Sequence, residues 1–371
     1  MAGPITPIVM PKWGLSMKEG TVNGWLVEEG ATIEVGMPIL DVETDKLASN
    51  VEAADAGLLR RRIAQEGDVL PVKALLGVMA PTEVSEEEID AYVAAYVVPA
   101  AGEGEAEEGA VFQTVTVDGI GVRYARRGLE SGTPVLFIHG FGGDLDNWLF
   151  NIDAAAEHSP AIVLDLPGHG QSDVKLPGTT LAALAAFVAR FLDAIAVKQV
   201  HVVGHSLGGA IAAQLASDAP DRVASVALIS PAGFGAEINA DYIDGYVEAQ
   251  SRRELKPVLE LLFFDPSLVS RQMIDDMLKY KRMDGVEPLL AELGAALFKD
   301  GRQTAQIAAP LARSGKPVLV LWGRDDRVIP SAHAANAPEG ATVKILDGAG
   351  HMAMLEKAHE VNAAIKAHVG G

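Results

Sequence analysis

The stretch VHVVGHSLGGAIAAQLAS, residues 200–217, decides the fold. The apolar run Val200–Val203 reads as a buried strand and the small-residue run Gly209–Ser217 as a helix, so Gly204-His205-Ser206-Leu207-Gly208 is the turn that joins them. In that setting a G-x-S-x-G turn holds its serine in a strained bend that projects Oγ away from the sheet. The glycines answer a steric need, because side chains at 204 or 208 would collide with neighbouring backbone. The bare pattern means little in a chain with 38 glycines. Between a strand and a helix it marks Ser206 as a nucleophile.

Outward from this turn, strands and helices alternate. Val111–Val117 and Val122–Ala125 read as a hairpin around Asp118-Gly119. Val135–Ile138, Ile162–Leu164, Ala224–Ile229, Val318–Leu321 and Thr342–Leu346 read as further apolar strands. Helical patterns such as Leu181–Ile195 fill the gaps. Continuous apolar strands separated by helices imply a mostly parallel sheet covered on both faces. Residues 232–313 break the rhythm with helical, charged sequence, long enough for an inserted cap. The second domain is expected over 111–371.

A serine hydroxyl is a poor nucleophile until a base removes its proton. His351, in Gly348-Ala349-Gly350-His351, follows the strand Thr342–Leu346. Asp326, in Gly323-Arg324-Asp325-Asp326, follows Val318–Leu321, and the adjacent Asp325 is its rival for the acid. His139-Gly140-Phe141-Gly142-Gly143 follows another strand, and its small residues leave N–H groups free to face a site. The N–H groups of Phe141 and Leu207 are candidates for an oxyanion hole. His139, His169 and His205 each sit beside a glycine and read as structural hydrogen-bonding residues. Met352 and Met354 read as packing. The sequence contains no metal-ligand cluster, P-loop or dinucleotide fingerprint.

Residues 112–371 resemble the α/β-hydrolase family throughout, with Asp165-Leu166-Pro167-Gly168-His169-Gly170-Gln171-Ser172 as a further landmark. The chain order serine, acid, histidine is the order of that family. The resemblance implies Ser206 as nucleophile, Asp326 as acid and His351 as base.

Residues 1–80 are short Val/Ile/Leu segments broken by Gly and Pro, which suggests small antiparallel strands. An offset of 37 lays Gly20, Leu26, Val27, Glu29, Gly30, Ile33 and Val35 over Gly57, Ile63, Ala64, Glu66, Gly67, Leu70 and Val72. Two similar halves would form a small flattened β-barrel. Leu40, Val42 and Thr44 alternate with acidic residues, and a second alternating run opens at Leu47, which puts Asp45-Lys46 at a hairpin tip. Glu43-Thr44-Asp45-Lys46-Leu47 and Pro11-Lys12-Trp13-Gly14-Leu15-Ser16-Met17 are similar to lipoyl domains of 2-oxo-acid and acetoin dehydrogenase complexes. Biotin carrier domains usually flank the lysine with methionines, where Asp45 and Leu47 stand here. The resemblance implies lipoate attached to Lys46.

Residues 81–110 carry nine acidic residues and no basic one. Ser85 and Glu88 form a capping-box pair, so one short acidic helix from Ser85 to about Val98 is expected, followed by a flexible, self-repelling linker over Ala100–Ala110. A plain solvated spacer is the favoured reading.

The formal charge of −20 over 371 residues argues against nucleic acid and anionic membrane surfaces as partners, because both would be repelled. With no cysteine, thiolate catalysis and disulfides are excluded. The first twenty residues do not read as a signal peptide, and the longest uncharged stretch, Gln199–Ser217, is a poor membrane span. A cytoplasmic protein is expected.

The two resemblances together point to the E2 subunits of bacterial acetoin dehydrogenase complexes. That family implies transfer of an acetyl group from the lipoyl arm to coenzyme A. It also implies a thiamine-diphosphate-dependent E1, a dihydrolipoyl dehydrogenase E3 and a lipoate ligase as partners, and a homo-oligomer. Two departures from the 2-oxo-acid E2 pattern stand out. No His-x-x-x-Asp-Gly segment is present, and residues 81–110 lack a basic subunit-binding module. Two other readings stay open: a thioesterase or C–C bond hydrolase recruited by its lipoyl domain, and a carrier whose hydrolase fold is only a scaffold.

If Lys46 is the attachment point, intact-mass measurement after expression with lipoate will show one adduct, absent from Lys46→Ala. An adduct that persists in the variant would exclude Lys46.

Overall fold

The computed structural model describes residues 5–15, 17–44, 48–99 and 112–370. Two compact units divide the chain, Met1–Gly109 and Ala110–Gly371.

The first unit is a flattened β-barrel of eight short strands. They are β1 (Thr6–Val9), β2 (Glu19–Trp25), β3 (Thr32–Ile33), β4 (Pro38–Glu43), β5 (Ala48–Glu52), β6 (Gly57–Arg62), β7 (Val69–Pro71) and β8 (Leu75–Met79). They form two sheets, in the orders β1-β8-β6-β3 and β5-β4-β2-β7. Both sheets share one core that includes Met10, Val22, Ile33, Leu40, Val42, Leu59 and Leu76. The 37-residue offset is the symmetry of this barrel. It carries β2 onto β6, β3 onto β7 and β4 onto β8, so each sheet repeats the order of the other. Gly77 marks close packing, since a Cβ there would stand 2.8 Å from the Trp25 ring. The β4–β5 ladder ends with Glu43 opposite Ala48. Asp45, Lys46 and Leu47 lie outside the described residues.

Over its described residues, 81–99, the acidic segment is not the solvated spacer that its composition suggests. Helix α1 (Glu86–Ala95) starts at a capping box, in which Ser85 Oγ accepts from the Glu88 N–H at 3.2 Å and Glu88 Oε2 accepts from the Ser85 N–H at 2.9 Å. Ile89 is 0% exposed and packs with Val78, Ala80 and Val84 against the barrel. The charge of the helix is met by β6. The Arg60 guanidinium donates to the Pro81 and Val84 carbonyls, and Arg61 donates to Asp90 at 2.7 Å and to Glu86 at 2.6 Å. The Tyr96 hydroxyl then donates to the Lys73 carbonyl at 2.8 Å. Composition alone missed this because the compensating basic residues stand some 25 positions earlier in the chain. The expected linker over 100–110 lies outside the described residues.

The second unit is built on an eight-stranded sheet. Its strands are β9 (Gln113–Val117), β10 (Ile120–Arg127), β11 (Val135–Ile138), β12 (Ala161–Leu164), β13 (Val200–His205), β14 (Val223–Ile229), β17 (Val318–Gly323) and β18 (Thr342–Leu346). The order is β18-β17-β14-β13-β11-β12-β10-β9. From β12 to β18 all neighbours are parallel, and β10 and β9 add an antiparallel edge. Central strands such as β11 and β17 are buried along their whole length, which is why they read as unbroken apolar runs. Helices α2 (Ile152–Ala156), α3 (Leu181–Ala194) and α4 (Leu207–Asp218) follow β11, β12 and β13 in turn.

Between β14 and β17 the chain builds the cap: α5 (Ala240–Glu248), α6 (Arg252–Leu259), α7 (Arg271–Lys281), α8 (Val286–Leu297) and the small hairpin of β15 (Phe298–Lys299) and β16 (Arg302–Gln303). The last segment expected in the cap, α9 (Ala308–Arg313), instead packs on α4 of the core. Helix α5 ends without a basic residue in its last turn, and buried Lys281 fills that role. Its ammonium donates to the carbonyls of Tyr246, Val247 and Ala249. Burial pushes its pKa down. After α7 and the rest of the cap, α10 (Ala353–Glu356) and α11 (Ala358–Val369) close the chain.

Ile89→Ala is expected to destabilise residues 1–99 by about 2–4 kcal/mol, the cost of a buried cavity. Denaturant titration followed by Trp13 and Trp25 fluorescence measures it. A change within error would mean that α1 contributes no stability to the barrel.

Candidate active site

Four loops at the C-terminal ends of parallel strands converge in the second unit. The first follows β13. Ser206 has φ +52° and ψ −116°, a conformation that a side chain makes costly. Its N–H donates to the Ile229 carbonyl at 3.0 Å, and its carbonyl accepts from Ala210 and Ala232. A Cβ at Gly204 would stand 2.3 Å from the Gly208 carbonyl oxygen, and one at Gly208 would stand 2.1 Å from the Ile138 oxygen. Both glycines are thus required by contact with backbone.

The second and third loops leave β17 and β18 and are joined to each other. The Arg324 N–H donates to the Leu346 carbonyl and the Asp325 N–H to the Ala349 carbonyl, at 2.9 and 3.0 Å. They run so close that a Cβ at Gly323 would lie 2.0 Å from the Gly350 oxygen. This brings the acid loop under the histidine. His351 is 1% exposed, and its Nδ1–H donates to Asp326 Oδ2 at 2.8 Å. The same oxygen accepts from Trp322 Nε1 at 3.0 Å, while Oδ1 accepts from the N–H groups of Val328 and Ile329. Four donors therefore hold one fully buried carboxylate. Asp325 is exposed, and the contact with the imidazole is made by Asp326. With Nδ1 engaged, the lone pair of His351 stands on Nε2.

The fourth loop, Gly140–Gly143 after β11, lies against the elbow. Ser206, His351 and this loop line one cavity of about 40 Å³. Neither the Phe141 nor the Leu207 N–H donates to an acceptor among the described residues. Nor does the Ser206 hydroxyl bond to the imidazole among them, a contact that commonly tightens only with substrate in place.

Buried polar groups anchor these loops. His139 donates from Nδ1 to the Gly140 carbonyl at 2.8 Å and accepts the Leu166 N–H on Nε2 at 2.9 Å. Burial pushes its pKa down to about 3, and that of His169 down to about 4. Both are neutral structural residues. His205 bonds through Nε2 to the His351 carbonyl at 3.0 Å, tying the Ser206 turn to the His351 loop. Asp165 accepts the Leu145 and Gln171 N–H groups, and burial pushes its pKa up to about 6.

Two groups at the site were not singled out from the sequence. Glu356 Oε2 accepts the Gly350 N–H at 2.6 Å and Oε1 the Phe264 N–H at 2.7 Å, so it clamps the histidine loop to the cap. Burial raises its pKa against those bonds. Tyr242, Tyr246 and Met277 from α5 and α7 wall the cavity. Tyr242 and Tyr246, four residues apart on an amphipathic helix, were the signal available.

Two families match the chain: the alpha/beta hydrolase fold over residues 133–358 and the biotin-requiring enzymes over residues 6–79. The dihydrolipoyllysine-residue acetyltransferase component of the acetoin cleaving system from Cupriavidus necator is 64% identical over 367 residues, covering 99% of this chain and 98% of that one. The chain belongs to the acetoin-cleaving acetyltransferase family. The component of the same name from Pseudomonas putida is 46% identical and covers 96% of each chain. Among solved structures, a meta-cleavage product hydrolase from Pseudomonas fluorescens matches at a TM-score of 0.63 with 20% identity, covering 70% of this chain and 97% of that one, which speaks to the hydrolase fold alone. This family thus joins a lipoyl-type barrel to a hydrolase scaffold. Among the described residues no helix is long and apolar enough to cross a membrane.

Asp326→Asn is expected to lower turnover by on the order of 10³–10⁴ by presenting the wrong imidazole tautomer. Asp325→Asn should change little. Steady-state kinetics on both variants checks this, and equal effects would undo the assignment of the acid.

Proposed function

We propose that this chain moves an acetyl group from a thioester to coenzyme A through Ser206, with His351 as base and Asp326 as its orienting acid. The observation that carries the reading is the buried Asp326–His351 contact facing the same cavity as a serine in a strained elbow.

A lipoyl group on Lys46 would supply the thioester in which the acetyl group arrives. The fit rests on the barrel and on the β4–β5 ladder, whose last pair, Glu43 and Ala48, flanks the segment containing Lys46. Asp45 and Leu47, standing where biotin carrier domains usually have methionines, support lipoate over biotin, as does the family.

The residues act in two symmetrical halves. His351 Nε2 takes the Ser206 proton as Oγ attacks the thioester carbonyl. The oxyanion would lie against the N–H groups of Phe141 and Leu207, each such donor being worth on the order of 3 kcal/mol in the transition state. The C–S bond breaks, and the departing sulfur takes the proton from His351. In the second half the thiol of coenzyme A gives its proton to His351 and attacks the acyl-serine. The C–Oγ bond breaks and Ser206 recovers the proton. Asp326 stays ionised throughout and stabilises the imidazolium. Hydrolysis shares the first half and differs only in admitting water to the second.

Tethering a donor raises its effective concentration to about the millimolar range, so weak intrinsic affinity suffices. The reading carries with it a thiamine-diphosphate-dependent E1, a dihydrolipoyl dehydrogenase E3, a lipoate ligase, a homo-oligomeric state and a cytoplasmic setting.

The test offers acetyl-dihydrolipoamide with and without coenzyme A and follows acetyl-CoA against free acetate. Transfer should dominate with coenzyme A present. Ser206→Ala and His351→Ala should each abolish it, and the double variant should be little worse than either. Wild-type transfer by Ser206→Ala would mean that coenzyme A is acylated without the serine.

A further inference from the structure

We propose that Tyr246 and Met277 set the length of the acyl chain that Ser206 accepts, and limit it to about the size of acetyl; this rests on Ser206 being the acylated residue. The cavity at Ser206 is small, about 40 Å³. Its far wall belongs to the cap, where Tyr242, Tyr246 and Met277 stand with Leu259 and Leu262.

Tyr246 cannot swing aside. It is 1% exposed, and its hydroxyl donates to the Gly142 carbonyl at 2.8 Å. Its ring lies so close to Gly142 that a Cβ there would stand 2.4 Å from it. The Phe141 ring packs edge-on against it at a centroid distance of 6.0 Å. Behind it, the Lys281 ammonium holds the end of α5 by its own carbonyls. A chain long enough to push Tyr246 would therefore also displace the loop that presents the Phe141 N–H.

Met277 is the yielding part of the wall. Its sulfur lies 3.3 Å from the Tyr246 hydroxyl, which it approaches from α7. It is half-buried and unbranched, and it fills space that a shorter side chain would vacate without breaking the Tyr246–Gly142 bond. The two residues divide the task. Tyr246 fixes the wall to the oxyanion loop, and Met277 fills the last space beyond the acyl methyl.

The test measures kcat/KM of the full chain for p-nitrophenyl acetate, butyrate and hexanoate, with Ser206→Ala as the reference. Wild type should fall by on the order of tenfold or more from acetate to butyrate, in the range of a misfit methylene in an apolar pocket. Met277→Ala should raise the butyrate-to-acetate ratio by on the order of tenfold, while the volume-conserving Met277→Leu keeps the wild-type ratio. Tyr246→Phe, which keeps the ring and frees the Gly142 carbonyl, should lower kcat for every ester with the ratio unmoved. A wild type that takes acetate and hexanoate alike, or a Met277→Ala ratio equal to wild type in a folded protein, overturns the proposal while leaving Ser206 in place. Ester turnover that survives Ser206→Ala overturns the nucleophile itself, and the length limit with it.

Discussion

The backbone of Ser206 is held where a residue with a side chain costs on the order of 1–3 kcal/mol, and much of the second unit exists to hold it there. Gly204 and Gly208 have no room for a Cβ, because β11 and the first turn of α4 close on them from two sides. That closeness requires β11 and β13 to be neighbours in the sheet, which they are, in parallel register with Ile138 beside Gly204. The same neighbours place Phe141 and Leu207 on adjacent loops. The strained serine and the closeness of these two residues to it are therefore consequences of one strand pairing.

Polar groups then fix what the sheet brings together. A buried donor or acceptor without a partner costs more than a made bond gains, so each bond here restricts its loop to one position. His139 bridges the β11 loop to Leu166. His205 bridges the nucleophile loop to the carbonyl of His351. Glu356 bridges the histidine loop to the cap at Phe264. At the start of α5, the Asn239 side chain donates to the Arg327 carbonyl, and its N–H to that of Val328, beside the acid. The cap is thus attached to the acid loop at one end and to the histidine loop further along.

The sheet was legible because buried parallel strands need apolar side chains on both faces, and Val135–Ile138 and Val318–Leu321 supply them without interruption. The elbow and the chain order of Ser206, Asp326 and His351 were legible because they are local. The barrel was legible through its repeat, since a 37-residue offset survives as spaced glycines and valines. What stayed hidden depends on distant pairings. Nothing near Glu86 and Asp90 says that Arg60 and Arg61 will meet them. Asp325 and Asp326 differ only in which one a turn at β17 directs inward, and that turn is set by the approach of Gly323 to Gly350. Tyr246 and Met277 become cavity walls only once α5 and α7 bring the two side chains together.

The choice between transfer and hydrolysis lies in the second half-reaction, and on the proposed mechanism the small cavity bears on it directly. An acetyl group on Ser206 would take up space in a cavity of only about 40 Å³. Ser206 is 7% exposed and His351 1%, so the base faces little open solvent. The resolving nucleophile enters after the first thiol leaves, and a sheltered site favours the one that brings binding energy of its own. A thiol on a long carrier brings such energy through the remainder of its molecule, whereas water brings none. On this argument the shelter that the cap gives the site favours transfer over hydrolysis.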